Sequence, residues 1–168
     1  MVNQVRTSPL AEPPACKKLA RMRILVVGSS GTIGSAVVKA LSEHGQDIVE
    51  VTYSGGGLTV DPSDTASIEA LYDTAGKLDT VLCAAGVAQF GPLEELSDAD
   101  LAQSIENKLM GQVNLIRCGI GRVTEGGSFT LTSGGLSQKP TAATTAVSMV
   151  GAAIDLENRY RVNVVSPG

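Results

Sequence analysis
The sequence predicts an α/β protein built on a doubly wound parallel sheet of about six strands. Three observations carry this. Short apolar runs alternate with helical patterns along the chain. The runs are near-continuous in apolar character, as strands covered on both faces are. The first run also meets a glycine-punctuated loop that turns straight into a helical pattern, "LVVGSSGTIGSAVVKAL" from Leu25 to Leu41.

Taken in order, Ile24–Val27 is the first buried strand. Thr32–His44 follows with apolar residues at Ile33, Ala36, Val37, Ala40 and Leu41, which is helical spacing. Gly45 stands where a C-terminal cap belongs. Ile48–Thr52 is the second strand, "SGGG" a loop, and Leu58–Val60 a short third strand. The stretch Asp61–Asp64 opens a helix to about Ala75, with Ser63 or Asp64 as its cap. Leu78–Cys83 is the fourth strand. Ser97 caps a long helix that ends near Ile120, before Gly121. Ser128–Thr132 is the fifth strand, Thr141–Asn158 is helix-compatible, and Arg161–Val165 is the sixth strand. Right-handed crossovers fix the hand of such a sheet.

The chain is read as one domain over 22–168. Residues 1–21 carry three prolines and no period, and are expected to be a flexible extension or a mis-assigned start. They lack the continuous apolar core of a secretory signal. Hydrophobic residues make up 43% and charged residues 18%, a globular balance that excludes a disordered chain. A net charge of −4 gives no basic footprint for nucleic acid or an anionic membrane, and no apolar run approaches the roughly 18 residues of a membrane span. The three cysteines, Cys16, Cys83 and Cys118, are widely spaced, and His44 is the one histidine, so no metal site is expected. Reduced thiols point to the cytoplasm.

Gly28, Gly31 and Gly34 stand three apart where the first strand becomes a helix. A helix N-terminus there presents free N–H groups to an anion without any basic side chain. The glycines allow a tight turn, close approach of backbone to a pyrophosphate, and close packing of helix on strand. Ser29, Ser30 and Thr32 add hydroxyls, and Ile33 completes the loop. In this strand–loop–helix context the pattern predicts a Rossmann-like dinucleotide site.

Four motifs in this order resemble the short-chain dehydrogenase/reductase family: the loop Gly28–Gly34, Asp61 after the third strand, "CAAG" (Cys83–Gly86) after the fourth, and "VNVVSPG" (Val162–Gly168). The resemblance covers Met22 to Gly168. It implies that Asp61 contacts an adenine, that Ala84, Ala85 and Gly86 line the adenosine side, and that Pro167 and Gly168 lie towards a nicotinamide. The family usually has asparagines where Cys83 and Ala84 stand. After the second strand, "VTYSGGG" offers neither an acid for a ribose 2′-hydroxyl nor a base for a 2′-phosphate. Tyr53 and Ser54 tolerate a phosphate, so NADP is slightly favoured over NAD.

Catalysis in this family rests on a Ser, a Tyr and a Lys four residues after the Tyr. A phenol ionising near neutral pH needs a cation close by. Ser133 matches the Ser. The resemblance then places the Tyr near Ala146 and the Lys at Val150, and neither residue type is there. Among Tyr53, Tyr72 and Tyr160, only Tyr160 follows Ser133, and Val164 stands four residues beyond it. The chain is similar to a small subgroup that keeps the glycine loop, carries "KLxGQVNL" (here Lys108–Leu115), and lacks the usual active-site residues. Lys108 falls where the family has a helical Asn, with Asn107 one residue off. Lys108 is either a spare cation in the cleft or a solvated helix residue. Ser133 is either catalytic or a satisfied strand-end hydroxyl.

Two functions follow. One is an oxidoreductase moving hydride between the cofactor and a small carbonyl or alcohol. The other is a cofactor-binding or structural relative without turnover. The chain reads as truncated before a seventh strand, which leaves "RVNVV" as an apolar edge and predicts a homo-oligomer.

Overall fold
The computed structural model describes residues 20–133 and the strand at 161–165. Six strands, β1 (Arg23–Val27), β2 (Asp47–Thr52), β3 (Leu58–Thr59), β4 (Leu78–Cys83), β5 (Val123–Thr132) and β6 (Arg161–Val165), form one sheet. Their order is β3-β2-β1-β4-β5-β6, and every pair is parallel. The order reverses between β1 and β4, the place where such sheets open a crevice at their carboxyl ends.

Register makes that edge level. Val27 pairs with Val51 and with Cys83, and Cys83 pairs with Leu131. The loops after β1, β2 and β4 and the end of β5 therefore emerge side by side, although they are far apart in sequence.

The helices are α1 (Thr32–Glu43), α2 (Thr65–Ala75), α3 (Asp98–Ser104) and α4 (Gly111–Gly119). A π-helical stretch, Ile105–Met110, joins α3 to α4 without a break. Local chemistry sets their ends. Asp64 caps α2 by accepting from the Ala66 N–H at 2.9 Å. Ser97 and Asp100 form a reciprocal capping box on α3. Gly45, at φ +70°, closes α1 in the left-handed conformation glycine adopts cheaply.

The main core lies between the sheet and the pair α2 and α4. Leu25, Val51, Ile68, Leu78, Val81, Leu115 and Phe129 are fully buried there. Each such side chain contributes about 1.5–3 kcal/mol by leaving water. Tyr72 joins them and donates its hydroxyl to Leu115 O at 2.7 Å. A Cβ at Gly119 would sit 2.6 Å from that hydroxyl and 2.7 Å from the Phe129 ring. The missing side chain is what lets α4 approach.

Three expectations are adjusted. The cap of α2 is Asp64 and not Ser63. The third strand is two residues long. The fifth begins at Val123, ahead of Ser128, because Gly126 (φ +77°) and Gly127 absorb a register shift opposite Leu78–Thr80. The N-terminal extension up to residue 19, the helix-compatible stretch Thr141–Asn158, Ala146, Val150, Pro167 and Gly168 lie outside the described residues.

Candidate cofactor cleft
The loop after β1 folds back on itself through backbone bonds. Gly28 and Ser29 donate their N–H groups to Val51 O at 2.8 and 3.1 Å, and Gly31 donates to Gly28 O at 3.1 Å. Gly28 has φ +85°, and a Cβ on it would lie 2.9 Å from Ala85 N. The absent side chain thus brings the glycine loop against the turn after β4. A Cβ on Gly34 would run into the Gly28 carbonyl, so the helix packs directly onto its own loop. Gly31 differs. An added Cβ there would meet only Gly28 O, at 3.4 Å.

Gly31 is also the N-cap of α1, and no side chain caps that helix end. Its first-turn N–H groups face the carboxyl edge of the sheet with the positive end of the helix dipole. In front of them lies a cleft of about 750 Å³, lined by Gly28, Ser30, Gly31, Tyr53, Asp61, Ala84, Ala85 and Gly86 among others. That volume is within the range of small-molecule sites. An uncapped helix end, a side-chain-free approach at Gly31 and a cleft of this size fit a dinucleotide.

At the far end Asp61 is held in place. Its Oδ1 accepts from the Ser63 N–H at 2.9 Å and the Ser63 hydroxyl at 2.5 Å, and its own N–H donates to Ser67 Oγ at 3.0 Å. Among the described residues no protein group donates to Oδ2.

The other sequence candidates fall as follows. Ser29 is buried, and its hydroxyl donates to Val51 O at 3.3 Å, away from the cleft. Thr32 and Ile33 are exposed on the first turn of α1, outside the cleft lining. Cys83 is in the core, and burial pushes its thiol above the usual range, which makes it a filler rather than a nucleophile. Ser133 follows the last residue of β5, with its N–H donating to Val165 O at 2.8 Å.

Lys108 is not a solvated helix residue. Its ammonium donates to Ala85 O at 3.1 Å and to Thr132 Oγ1 at 3.3 Å. Its stem lies over Gly86, where any Cβ would collide with it. Burial holds its pKa below the ordinary lysine value, partly offset by Cys83. Lys108 therefore ties the turn after β4 to the end of β5, next to Ser133. The cleft is also lined by Asn107, named above beside the family's Asn position, and by Gln103 and Glu106, which sequence reasoning missed. The available signal was the three- and four-residue spacing of Ala99, Gln103, Glu106 and Asn107, which puts small and polar residues on one helix face.

The family described as "NAD dependent epimerase/dehydratase family" matches residues 24–145. The chain belongs to this family. It is similar to the protein lin1944 of Listeria innocua, at 37% identity and a TM-score of 0.80, over 87% of this chain and 77% of that one. It is similar to a small-chain dehydrogenase solved in complex with NADPH, at 30% identity and a TM-score of 0.78, over 89% and 71% of the two chains. It is 26% identical over 176 residues to an uncharacterized oxidoreductase of Methylorubrum extorquens, covering 86% of this chain and 71% of that protein. The short-chain dehydrogenase/reductase resemblance and the Rossmann-type sheet are thus borne out. Among the described residues, no helix is long and apolar enough to cross a membrane.

Proposed function
We propose that this family member binds a nicotinamide dinucleotide in the cleft and acts as an oxidoreductase on a small carbonyl or alcohol. One observation supports this above the rest: the uncapped N-terminus of α1 opens over Gly28 and Gly31 into the cleft that Asp61 closes at its far end. The backbone of Gly31–Gly34 holds the pyrophosphate, Asp61 the adenine, and Ala84–Gly86 the adenosine side. By the family resemblance we assign Pro167 and Gly168, which are outside the described residues, to the nicotinamide side. When bound, the nicotinamide supplies or takes up hydride. Ser133 orients the substrate oxygen, and Lys108 contributes positive charge beneath the wall of the cleft.

Between the two cofactor forms we place NADP(H) slightly ahead. Tyr53 and Ser54 stand after β2 where an acid would repel a 2′-phosphate, and a 30% identical relative was solved with NADPH. No lysine or arginine lines the cleft among the described residues, so the two affinities are expected within about tenfold, or 1.4 kcal/mol.

A second reading, binding without turnover, is favoured by the hydrogen bonds that occupy Lys108 and by the absence of a Tyr-x-x-x-Lys pair after Ser133. We place the chain in the subgroup lacking that pair. We also infer a cytoplasmic protein, consistent with the unpaired Cys83 and Cys118, and a homo-oligomer, since Val165 on β6 is 49% exposed. The deciding experiment is titration with NADH and NADPH, then NAD(P)H consumption at 340 nm with ketones, aldehydes and quinones. No binding of either form would refute the cofactor reading. Binding with background turnover would select the second reading.

A further inference from the structure
Ala84–Val87 line one side of the cleft, and the segment Ala85–Gln89 that continues this wall is fastened to the long helix at alternate residues. Ala85 O accepts from Lys108 Nζ. The Val87 N–H donates to Asn107 Oδ1 at 2.7 Å, and the Gln89 N–H donates to Ser104 Oγ at 2.9 Å. The Ser104 hydroxyl itself donates to Asp100 O at 2.8 Å, and Gln89 Nε2 donates to Gln103 Oε1 at 2.7 Å. The partners Lys108, Asn107 and Ser104 are neighbours and then three residues apart, so the segment runs beside the end of α3 and the π-helical stretch that follows it.

Of this segment, Ala85 packs against the core and the residues after it do not. Val87–Phe90 contribute no residue to the buried core, and Val87 and Phe90 are 52% and 67% exposed. The hydrogen bonds are its fastening. Ser104 is 1% exposed and lies outside the cleft lining, so it acts on a ligand only through the segment it holds.

We propose that Ser104 and Asn107 are positioning residues for the dinucleotide. They hold Val87–Gln89 in the bound shape before the ligand enters, so binding does not have to order the wall. This inference rests on the cofactor reading above.

The test compares Ser104→Ala, Asn107→Ala, the double variant and Ser104→Thr with the wild type. NADH and NADPH affinities are measured by calorimetry, and thermal melts are recorded without ligand. Each alanine variant should bind about 3–10-fold more weakly, the size of one lost neutral hydrogen bond. The double variant should lose less than the product of the two, because both bonds hold one segment. Ser104→Thr keeps the hydroxyl and should stay within about twofold of wild type. Alanine variants that melt lower yet bind both dinucleotides with wild-type affinity would overturn the inference and leave the cofactor reading intact. A wild type that binds neither dinucleotide removes both.

Discussion

Gly31→Val separates the folding role of the glycine loop from its binding role. Gly31 has φ −75° and ψ 170°, an extended conformation that valine adopts readily. The added Cβ meets only Gly28 O, at 3.4 Å. The ligand-free protein should therefore lose no more than about 1 kcal/mol, the cost of a poor N-cap residue. Binding should change far more. A branched side chain stands between the pyrophosphate and the first-turn N–H groups of α1. Losing two charge-assisted hydrogen bonds of about 1.5–3 kcal/mol each amounts to about 3–6 kcal/mol, or about 10²–10⁴-fold in affinity. Gly34→Ala is the contrast. Its Cβ would overlap the Gly28 carbonyl and lie 2.9 Å from Ser29 Cα, all backbone, so this variant should fail in stability first. Calorimetry with NADH and NADPH, beside thermal melts of both variants, checks the pair. Wild-type affinity in a folded Gly31→Val protein would show that the pyrophosphate does not lie on this loop.

Other outcomes follow from single side chains. Ser133→Ala should lower any residual carbonyl reduction by about 10–100-fold, the effect of one hydrogen bond to a developing charge; an unchanged 340 nm rate would remove Ser133 from the site. Tyr72→Phe loses the bond to Leu115 O and should cost about 0.5–1.5 kcal/mol at neutral pH in a urea melt. Burial raises the Tyr72 pKa, so the folded chain keeps a proton that the unfolded chain releases above about pH 10. Stability is then lost as pH rises past that point, and Tyr72→Phe should lose less of it there than the wild type. Lys108 has the opposite sign. Its folded pKa is lowered, so wild-type stability gains between that pKa and the ordinary lysine value, and Lys108→Met should remove this gain in melts across alkaline pH.

The sheet was legible because buried parallel strands leave apolar runs that no loop imitates, as in Ile24–Val27 and Leu78–Cys83. The tight glycine loop was legible because its glycines answer steric demands, now visible at Gly28 and Gly34. The start of β5 was hidden because Gly126 and Gly127 imitate a turn inside a strand. The fastening of the wall was hidden for another reason. Ser104, Asn107 and Lys108 read as ordinary polar helix residues until the chain crossing them is known. The π-helical stretch also upset the comparison of Asn107 with Lys108, since a fixed turn per residue does not apply there. Both side chains reach the turn after β4, one to an N–H and the other to a carbonyl.

The position of Lys108 bears on the choice between the two functions. Among the described residues it is the cation brought to the carboxyl edge of the sheet, since Arg23, Lys77 and Arg122 stand at or just before strand starts on the opposite edge. General acid help is worth typically 10²–10⁴-fold, or about 3–5 kcal/mol. To supply it, the ammonium must reach the reacting oxygen. Two of its three hydrogens are engaged with Ala85 O and Thr132 Oγ1, and its stem lies against Gly86 rather than in the cleft lining. Taking Lys108 out to meet a substrate would break two charge-assisted bonds at about 1.5–3 kcal/mol each, which cancels the gain. Left in place, it offers positive charge but not a proton. Hydride transfer would then rest on positioning and on Ser133, and should be slow, with a rate that does not follow the titration of an acid between pH 6 and 9. A pH–rate profile with a clear alkaline limb that Lys108→Met abolishes would refute this and make Lys108 the proton donor.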